Sequence, residues 1–431
     1  MSPSLIILIA FVGSILIGMP VAGALGMAAL AALLAAGLPL EYLAQNAFSA
    51  IDSFTLIAIP MFILAGTLME RGRLTHDLVA LSRSIVGDAP GGLGTVTILA
   101  CSLFAAITGS GPATTAAIGS IMIPAMMRDG YSKGFAGGLT ASAGGLGVVI
   151  PPSIPMIIYG ITAETSITGL FVAGIIPGIL LAIVLYGTSK FICKRNGFGS
   201  AKIQGNRGQE IRAALAKARW ALFAPVVILG GIYTGTFTVT EASVAGALYA
   251  IFVGVAINRA LTWRGFYECL LQTAKISGTV LIILSTGLVF GRLMAIHQIP
   301  QDVSAFLVEN IANGTLMILL IALLLLFIGM WMETITQIVI LTPLLLPVAM
   351  EAGLHPIQFG VMFVIACEVG YQTPPLGVNL FVAGEIAKAR LEDVSKGALP
   401  FVIAESAVML LVAFVPAVTL WLPSLFGYVR L

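Results

Sequence analysis

Four short stretches of this chain combine residues that can strip water from an ion with residues that interrupt a helix. The first is Thr108-Gly109-Ser110-Gly111-Pro112-Ala113-Thr114-Thr115, where two glycines and a proline break the run. Its backbone carbonyls, with the hydroxyls of Thr108 and Ser110, could replace the hydration shell of a small cation such as Na+. The half-helix that follows offers free N–H groups to a carboxylate. The second stretch, Gly144-Gly145-Leu146-Gly147-Val148-Val149-Ile150-Pro151-Pro152-Ser153, and the third, Cys367-Glu368-Val369-Gly370-Tyr371-Gln372-Thr373-Pro374-Pro375-Leu376, each carry adjacent prolines. Two prolines remove two N–H donors and free the carbonyls upstream. The fourth runs from Gly329 to Gln337 and contains Glu333, an ionisable group inside an apolar run and so a functional candidate. Plainer readings compete: Gly-Ser helix packing for the first, packing kinks for the proline pairs, and a carboxylate satisfied by neighbouring N–H groups for Glu333.

Sliding the chain on itself by 223 residues pairs Phe104 with Phe327, Pro124 with Pro347, Gly147 with Gly370, Pro151-Pro152 with Pro374-Pro375 and Pro177 with Pro400. Ser110 falls on Glu333. Breaks that recur at equivalent positions favour a site over a packing accident. Each copy reads as three crossings plus a hairpin, an odd number, so the copies are expected to be inverted in the membrane. Oppositely facing hairpins with broken helices are the signature of a secondary transporter whose site lies at the midplane.

The elements that must hold these stretches are membrane helices. Of 431 residues, 59% are hydrophobic and 9% charged, against about 25% charged in a soluble domain. Mean hydropathy is +1.06. A soluble enzyme, a nucleic-acid binder and a disordered scaffold are all disfavoured, and a net charge of +2 is too small to argue for an acidic partner. The expected fold class is an all-α polytopic membrane protein with two inverted repeats, each having a re-entrant helical hairpin and a Pro-Pro-broken helix. Residues 4 to 37 would make one helix of about 51 Å, too long for a bilayer core of about 30 Å, and Gly18-Met19-Pro20 breaks them. Without a basic n-region or a cleavage site, two packed spans fit better than a removed leader.

Charge orients the set. Lys194, Arg195, Lys202, Arg207, Arg212, Lys217 and Arg219 face only Glu210 in the loop 194 to 219, which places it in the cytoplasm. Arg71, Arg73, Arg83, Arg128 and Lys133 bracket a hairpin at about 93 to 127 and open it to the cytoplasm. No Lys or Arg occurs from Leu293 to Ala387, while Asp302, Glu309 and Glu351 flank a hairpin at about 313 to 350, which therefore opens outside. Both termini come out external. The expected division is N-terminal scaffold helices over 1–53, a first repeat over 54–193, a cytoplasmic loop and linking scaffold helices over 194–275, a second repeat over 276–416 and a C-terminal tail over 417–431.

The remaining candidates are weaker. Cys101, Cys193, Cys269 and Cys367 are widely spaced and read as small hydrophobes. His76, His297 and His355 fall in expected loops, which disfavours a histidine proton relay. Arg292 sits where it can snorkel, Glu241 where it can serve a first helical turn, and Glu368 and Glu385 are ambiguous. No P-loop and no catalytic dyad appear, so the chain does not read as an enzyme.

At these residues the chain resembles the large membrane subunit of the tripartite ATP-independent periplasmic (TRAP) transporters. The resemblance is carried by the segment Asp52 to Gly66 (DSFTLIAIPMFILAG), by Gly109-Ser110-Gly111-Pro112-Ala113-Thr114, by Ile150-Pro151-Pro152-Ser153-Ile154-Pro155 and by Thr373-Pro374-Pro375-Leu376-Gly377-Val378-Asn379-Leu380, and it covers essentially the whole chain. It implies an elevator-type carrier of the bacterial inner membrane that works with a small four-helix membrane subunit and a periplasmic substrate-binding protein, with Na+ as coupling ion and no cofactor. Two cation sites are implied, one among Thr108, Ser110, Gly144, Gly147 and Ile150, the other among Gly329, Gly370, Thr373 and Leu376. The implied substrate set is Gly111, Thr114, Pro152, Ser153, Glu333, Thr334, Pro375 and Asn379. Half-helix N-termini at about 112, 153, 335 and 375 suit an organic acid anion. Sialic acid members tend to carry Asp where this chain has Thr114, and the hairpin looks more like the C4-dicarboxylate type. Sialic acid transport, a stand-alone dicarboxylate/Na+ symporter and an anion channel are the competing readings.

Overall fold

The structure is a computed structural model that describes residues 3–87, 91–198, 207–311 and 313–429. Among these residues it is built of α-helices joined by short turns, with one 3-10 turn at Phe54–Ile57 and one π turn at Val253–Ile257. The first part comprises α1 (Pro3–Leu16), α2 (Val21–Ala35), α3 (Leu40–Ile51), α4 (Ala58–Arg71) and α5 (Leu74–Val86). A hairpin follows, α6 (Gly92–Thr108) and α7 (Gly111–Arg128), then a broken helix, α8 (Lys133–Val149) and α9 (Ile154–Thr162), and a long helix, α10 (Ile167–Asn196). Linking helices are α11 (Arg207–Tyr233), α12 (Val239–Phe252), α13 (Trp263–Ile296) and α14 (Ile299–Asn310). The second set repeats the order: hairpin α15 (Gly314–Gly329) and α16 (Thr334–Glu351), broken helix α17 (Pro356–Tyr371) and α18 (Val378–Ala387), long helix α19 (Leu391–Phe414), closed by α20 (Ala417–Leu425).

Element bounds follow the sequence offset. Helix α16 starts and ends 223 residues after α7, and α17 starts 223 residues after α8. Both proline pairs, Pro151-Pro152 and Pro374-Pro375, contain a cis bond. Seven helices are long and apolar enough to cross a bilayer, and α8 with α9, bent by 45°, makes a further candidate span. Gly18, at φ +81°, turns the chain between α1 and α2, which pack together as the break at Gly18-Met19-Pro20 requires.

Helices α8 and α17 form the centre. Every residue from Phe135 to Val149 and from Ile357 to Tyr371 is buried. Glycine permits this density, because a Cβ on Gly138 would lie 2.3 Å from the backbone of Gly397 and Ala398, where α8 crosses α19. Small residues at a crossing let two backbones approach within dispersion range.

Several expectations change. Residues 207 to 219 of the expected polar loop are the first turns of α11, since Ala, Arg, Lys, Gln and Glu are strong helix formers, and 199–206 lie outside the described residues. His76 is helical, inside α5, rather than in a loop, while His297 and His355 flank α13 and α17 as the residues after and before them. Residues 417–425 of the expected tail are α20, packed on α10 and α17. Glu241 caps α12 reciprocally with Thr238: its carboxylate accepts from the Thr238 N–H at 2.8 Å, and the Thr238 hydroxyl accepts from the Glu241 N–H at 3.2 Å.

The α8–α19 crossing gives a direct test. Gly138→Ala is expected to cost about 1–3 kcal/mol through overpacking against backbone, read as a lowered Tm of the purified protein. Gly187→Ala in α10, where a Cβ meets nothing within 4 Å, is expected to leave Tm unchanged or raise it.

Candidate functional site

The two hairpin tips and the two broken helices meet. In the first tip the helix stops for two residues only, Gly109 in the left-handed region at φ +63° and Ser110 extended, and resumes at Gly111 because proline is tolerated in a first turn. The Ser110 hydroxyl caps α7 by accepting from the Ala113 N–H at 3.5 Å, while the Thr114 hydroxyl donates to the Ser110 carbonyl at 2.8 Å and lies 2.9 Å from the Thr108 hydroxyl. This tip sits directly on α8. A Cβ on Gly147 would lie 2.5 Å from Thr114 Oγ1 and 2.6 Å from the Ser110 carbonyl oxygen, and one on Gly144 would lie 1.9 Å from Thr115 Oγ1. Proline at 151 and 152 leaves the Gly147 and Val148 carbonyls without their helical donors. The Ser153 hydroxyl donates to the Val148 carbonyl, and Ile154 N–H donates to the Gly109 carbonyl at 3.2 Å, tying hairpin to broken helix. Thr108, Ser110, Gly144 and Gly147 are thus brought together, with Ile150 as the extended residue that ends α8.

The second tip repeats the plan with different chemistry. A Cβ on Gly370 would lie 2.3 Å from the Gly329 carbonyl oxygen, so α15 and α17 touch through backbone. Leu376 N–H donates to the Met330 carbonyl at 3.0 Å, and the Thr373 hydroxyl to the Val369 carbonyl at 2.7 Å. Gly329, Gly370, Thr373 and Leu376 therefore share one junction. Glu333 occupies the place of Ser110 as the cap of α16: its Oε2 accepts from the N–H groups of Ile335 at 3.0 Å and Thr336 at 3.1 Å. Its Oε1 accepts from the Tyr371 hydroxyl at 3.0 Å, and that hydroxyl accepts from the Thr334 N–H at 3.3 Å.

Between the tips lies a cavity of about 500 Å³. The first tip contributes Thr108, Gly109, Ser110, Pro112 and Ala113, the second Glu333, Thr334 and Ile335, the broken helices Ile154, Pro155, Tyr371 and Val378. The opposite wall comes from α4, with Gly66, Thr67 and Glu70, and from α13, with Gln272 and Ile276.

Of the substrate set expected from sequence, Glu333 and Thr334 line this cavity. Gly111, Thr114, Pro152, Ser153 and Asn379 are buried off its wall, and Pro375 is exposed elsewhere. The hydroxyls of Thr114 and Ser153 are already committed to backbone, and Asn379 Nδ2 donates to the Ala141 carbonyl at 3.2 Å and to Glu368 Oε1 at 3.1 Å. The fourth half-helix begins at Val378 rather than near 375, since the chain turns through Pro374, Pro375 and Leu376 and reaches φ +41° at Gly377. Sequence reasoning missed Thr67, Gln272 and Tyr371, which reach the cavity only through tertiary packing. Glu368, ambiguous in sequence, is buried beside Gly111 and Gly145 with Oε2 lacking a hydrogen-bond partner, and Glu405 is buried on α19 accepting from Gln372 Nε2. Arg292 donates to Asn46 Oδ1 at 2.7 Å, which fastens α13 to α3, and Glu385 is exposed.

The cap at Glu333 is testable. Glu333→Ala is expected to lower stability by about 1–2 kcal/mol, the range for a lost N-cap, and Glu333→Gln, which keeps an acceptor oxygen, by clearly less; thermal unfolding of the purified variants checks both.

The comparisons with known proteins agree with this geometry. A profile of the family described as "Tripartite ATP-independent periplasmic transporter, DctM component" matches residues 8–418. The chain is 42% identical over 94% of its length to the isethionate TRAP transporter permease protein DctMQ of Oleidesulfovibrio alaskensis, of which it spans 64%. It is 38% identical to the sialic acid TRAP transporter large permease protein SiaM of Vibrio cholerae, covering 97% of this chain and 98% of that one. To the C4-dicarboxylate TRAP transporter large permease protein DctM of Rhodobacter capsulatus it is 36% identical, covering 98% and 99%. In fold it is similar to the YdaH transporter of Alcanivorax borkumensis, with a TM-score of 0.62 at 13% identity over 90% of this chain and 87% of that one. MtrF of Neisseria gonorrhoeae follows, with a TM-score of 0.59 at 16% identity over 86% and 83%. With a profile match across nearly its whole length and full-length relatives of this kind, the chain belongs to the DctM-component family of TRAP transporters, a transporter permease of the inner membrane and not an enzyme.

Proposed function

We propose that this chain is the membrane carrier of a Na+-coupled, binding-protein-dependent importer of a small organic acid anion, with a C4-dicarboxylate as its substrate class. The observation that carries the proposal is the cavity shared by both hairpin tips and the scaffold helices α4 and α13. In an elevator mechanism the hairpins and broken helices move as one body against that scaffold, and a cavity on the boundary is carried from one face to the other. The matching bounds of the two halves support an inverted repeat with tips that open to opposite sides.

Na+ would be held at each tip by carbonyls and hydroxyls of the junctions described above, the first through Thr108, Ser110, Gly144, Gly147 and Ile150, the second through Gly329, Gly370, Thr373 and Leu376. Cations at both junctions offset the repulsion between Glu333 and an incoming anion, so anion binding without Na+ is unfavourable. That is the physical basis of coupling. The relatives are named for isethionate, sialic acid and C4-dicarboxylates, all anions. Thr114, bonded within its own hairpin, supports the dicarboxylate reading, with sialic acid or another sugar acid as the alternative. A small four-helix membrane subunit and a periplasmic binding protein complete the proposed assembly.

Uptake of labelled C4-dicarboxylate and sialic acid into proteoliposomes tests this. Uptake is expected to require an inward Na+ gradient, the small subunit and the binding protein together, with the dicarboxylate preferred. Uptake by this chain alone would establish a stand-alone carrier instead. Ser110→Ala is expected to raise the Na+ concentration for half-maximal uptake several-fold, with the anion's own half-saturation at high Na+ little changed.

A further inference from the structure

A second cavity, of about 660 Å³, lies away from the hairpin tips where the first turns of α8 and α19 meet the end of α10. Lys133, Lys388, Arg390 and Lys396 line it against one carboxylate, Asp393. Arg390 is committed to Asp393, Nε to Oδ2 at 3.1 Å. The Lys133 ammonium donates to the Lys388 carbonyl at 3.3 Å, and none of the three lysines is in an ion pair among the described residues. The inner wall is aromatic: Phe135 and Phe198 line it with ring centroids 5.5 Å apart. Membrane-ward of the charged mouth, α10 and α19 expose Phe191 (68%), Leu399 (55%) and Ile403 (63%).

We propose that this cavity binds the phosphate headgroup of an anionic phospholipid from the cytoplasmic leaflet, its acyl chains lying along the exposed faces of α10 and α19. Three unpaired ammonium groups supply the charge complement. Basic pockets between membrane helices on the cytoplasmic side suit such headgroups, and Lys194 and Arg195 at the end of α10 put this end on that side. The apolar strip just inside the charges gives acyl chains a bed that a free phosphate would leave unused. The close backbone approach of Gly138 to Gly397 holds α8 and α19 together beside the cavity, so a bound lipid bridges helices from both halves of the chain.

The test uses the full chain purified in detergent, with phosphatidylglycerol, phosphatidylcholine or inorganic phosphate added, and bound lipid counted by native mass spectrometry alongside Tm. Phosphatidylglycerol is expected to bind and raise Tm, and the triple variant Lys133→Gln, Lys388→Gln, Lys396→Gln to bind it on the order of a hundredfold more weakly. The triple Lys→Arg variant should retain binding, and it separates lost charge from lost folding. Equal binding of phosphatidylglycerol by wild type and the glutamine variant, or equal binding of phosphatidylcholine, would overturn the proposal. Protection by inorganic phosphate alone, equal to that by lipid, would overturn it in favour of a small-anion site.

Discussion

Inside a bilayer a backbone N–H or C=O that leaves its helix has no water to turn to, so it must find a partner within the protein or line a cavity. This chain leaves its helices four times near the tips and breaks, and each exit is enclosed. The Gly109 carbonyl takes the N–H of Ile154, and the Met330 carbonyl takes that of Leu376. These two bonds are equivalents, one in each half, and they fix each hairpin to the broken helix beside it. Glycines at 144, 147, 329 and 370 are the steric condition for that arrangement, because at each a side chain would press on backbone or on a hydroxyl already in use.

The halves share a frame and differ in charge. Ser110 caps α7 with a neutral hydroxyl, whereas Glu333 caps α16 with a carboxylate shared with Tyr371. A carboxylate at a helix N-terminus already uses the favourable end of that dipole, which leaves the second tip less inviting to a free anion than the first. The asymmetry defines what a coupling ion does here, which is to lower the negative potential of a cavity that must also accept a negative cargo. Glu368 and Glu405, buried behind this region with amide partners Asn379 and Gln372, place further carboxylates where no Lys or Arg forms an ion pair with them among the described residues.

Much of this was legible in sequence because glycine and proline act locally. The ends of both hairpins, the paired Pro-Pro breaks and the Thr238–Glu241 cap follow from residues within a few positions of each other. What sequence missed depends on distance. Thr67, Gln272 and Tyr371 come from three different helices, and no local pattern marks them as neighbours of one cavity. Asn379 looked free to meet a ligand, yet its partner Glu368 lies across the Pro374-Pro375 break, and only the fold turns the two toward each other. The start of α11 was hidden for the opposite reason: its charges read as a loop, while its helix-forming residues decided the conformation.

Side-specific labelling addresses the central claim, that the two halves are inverted copies. Arg128 and Glu351 are the last residues of α7 and α16, both exposed, and the four native cysteines are buried. Single Arg128→Cys and Glu351→Cys variants, exposed to a membrane-impermeant maleimide in sealed vesicles of known orientation, should react from opposite faces: the first only from the cytoplasmic side, the second only from the external side. Reaction of both from the same face would contradict the inverted arrangement and the transport mechanism built on it.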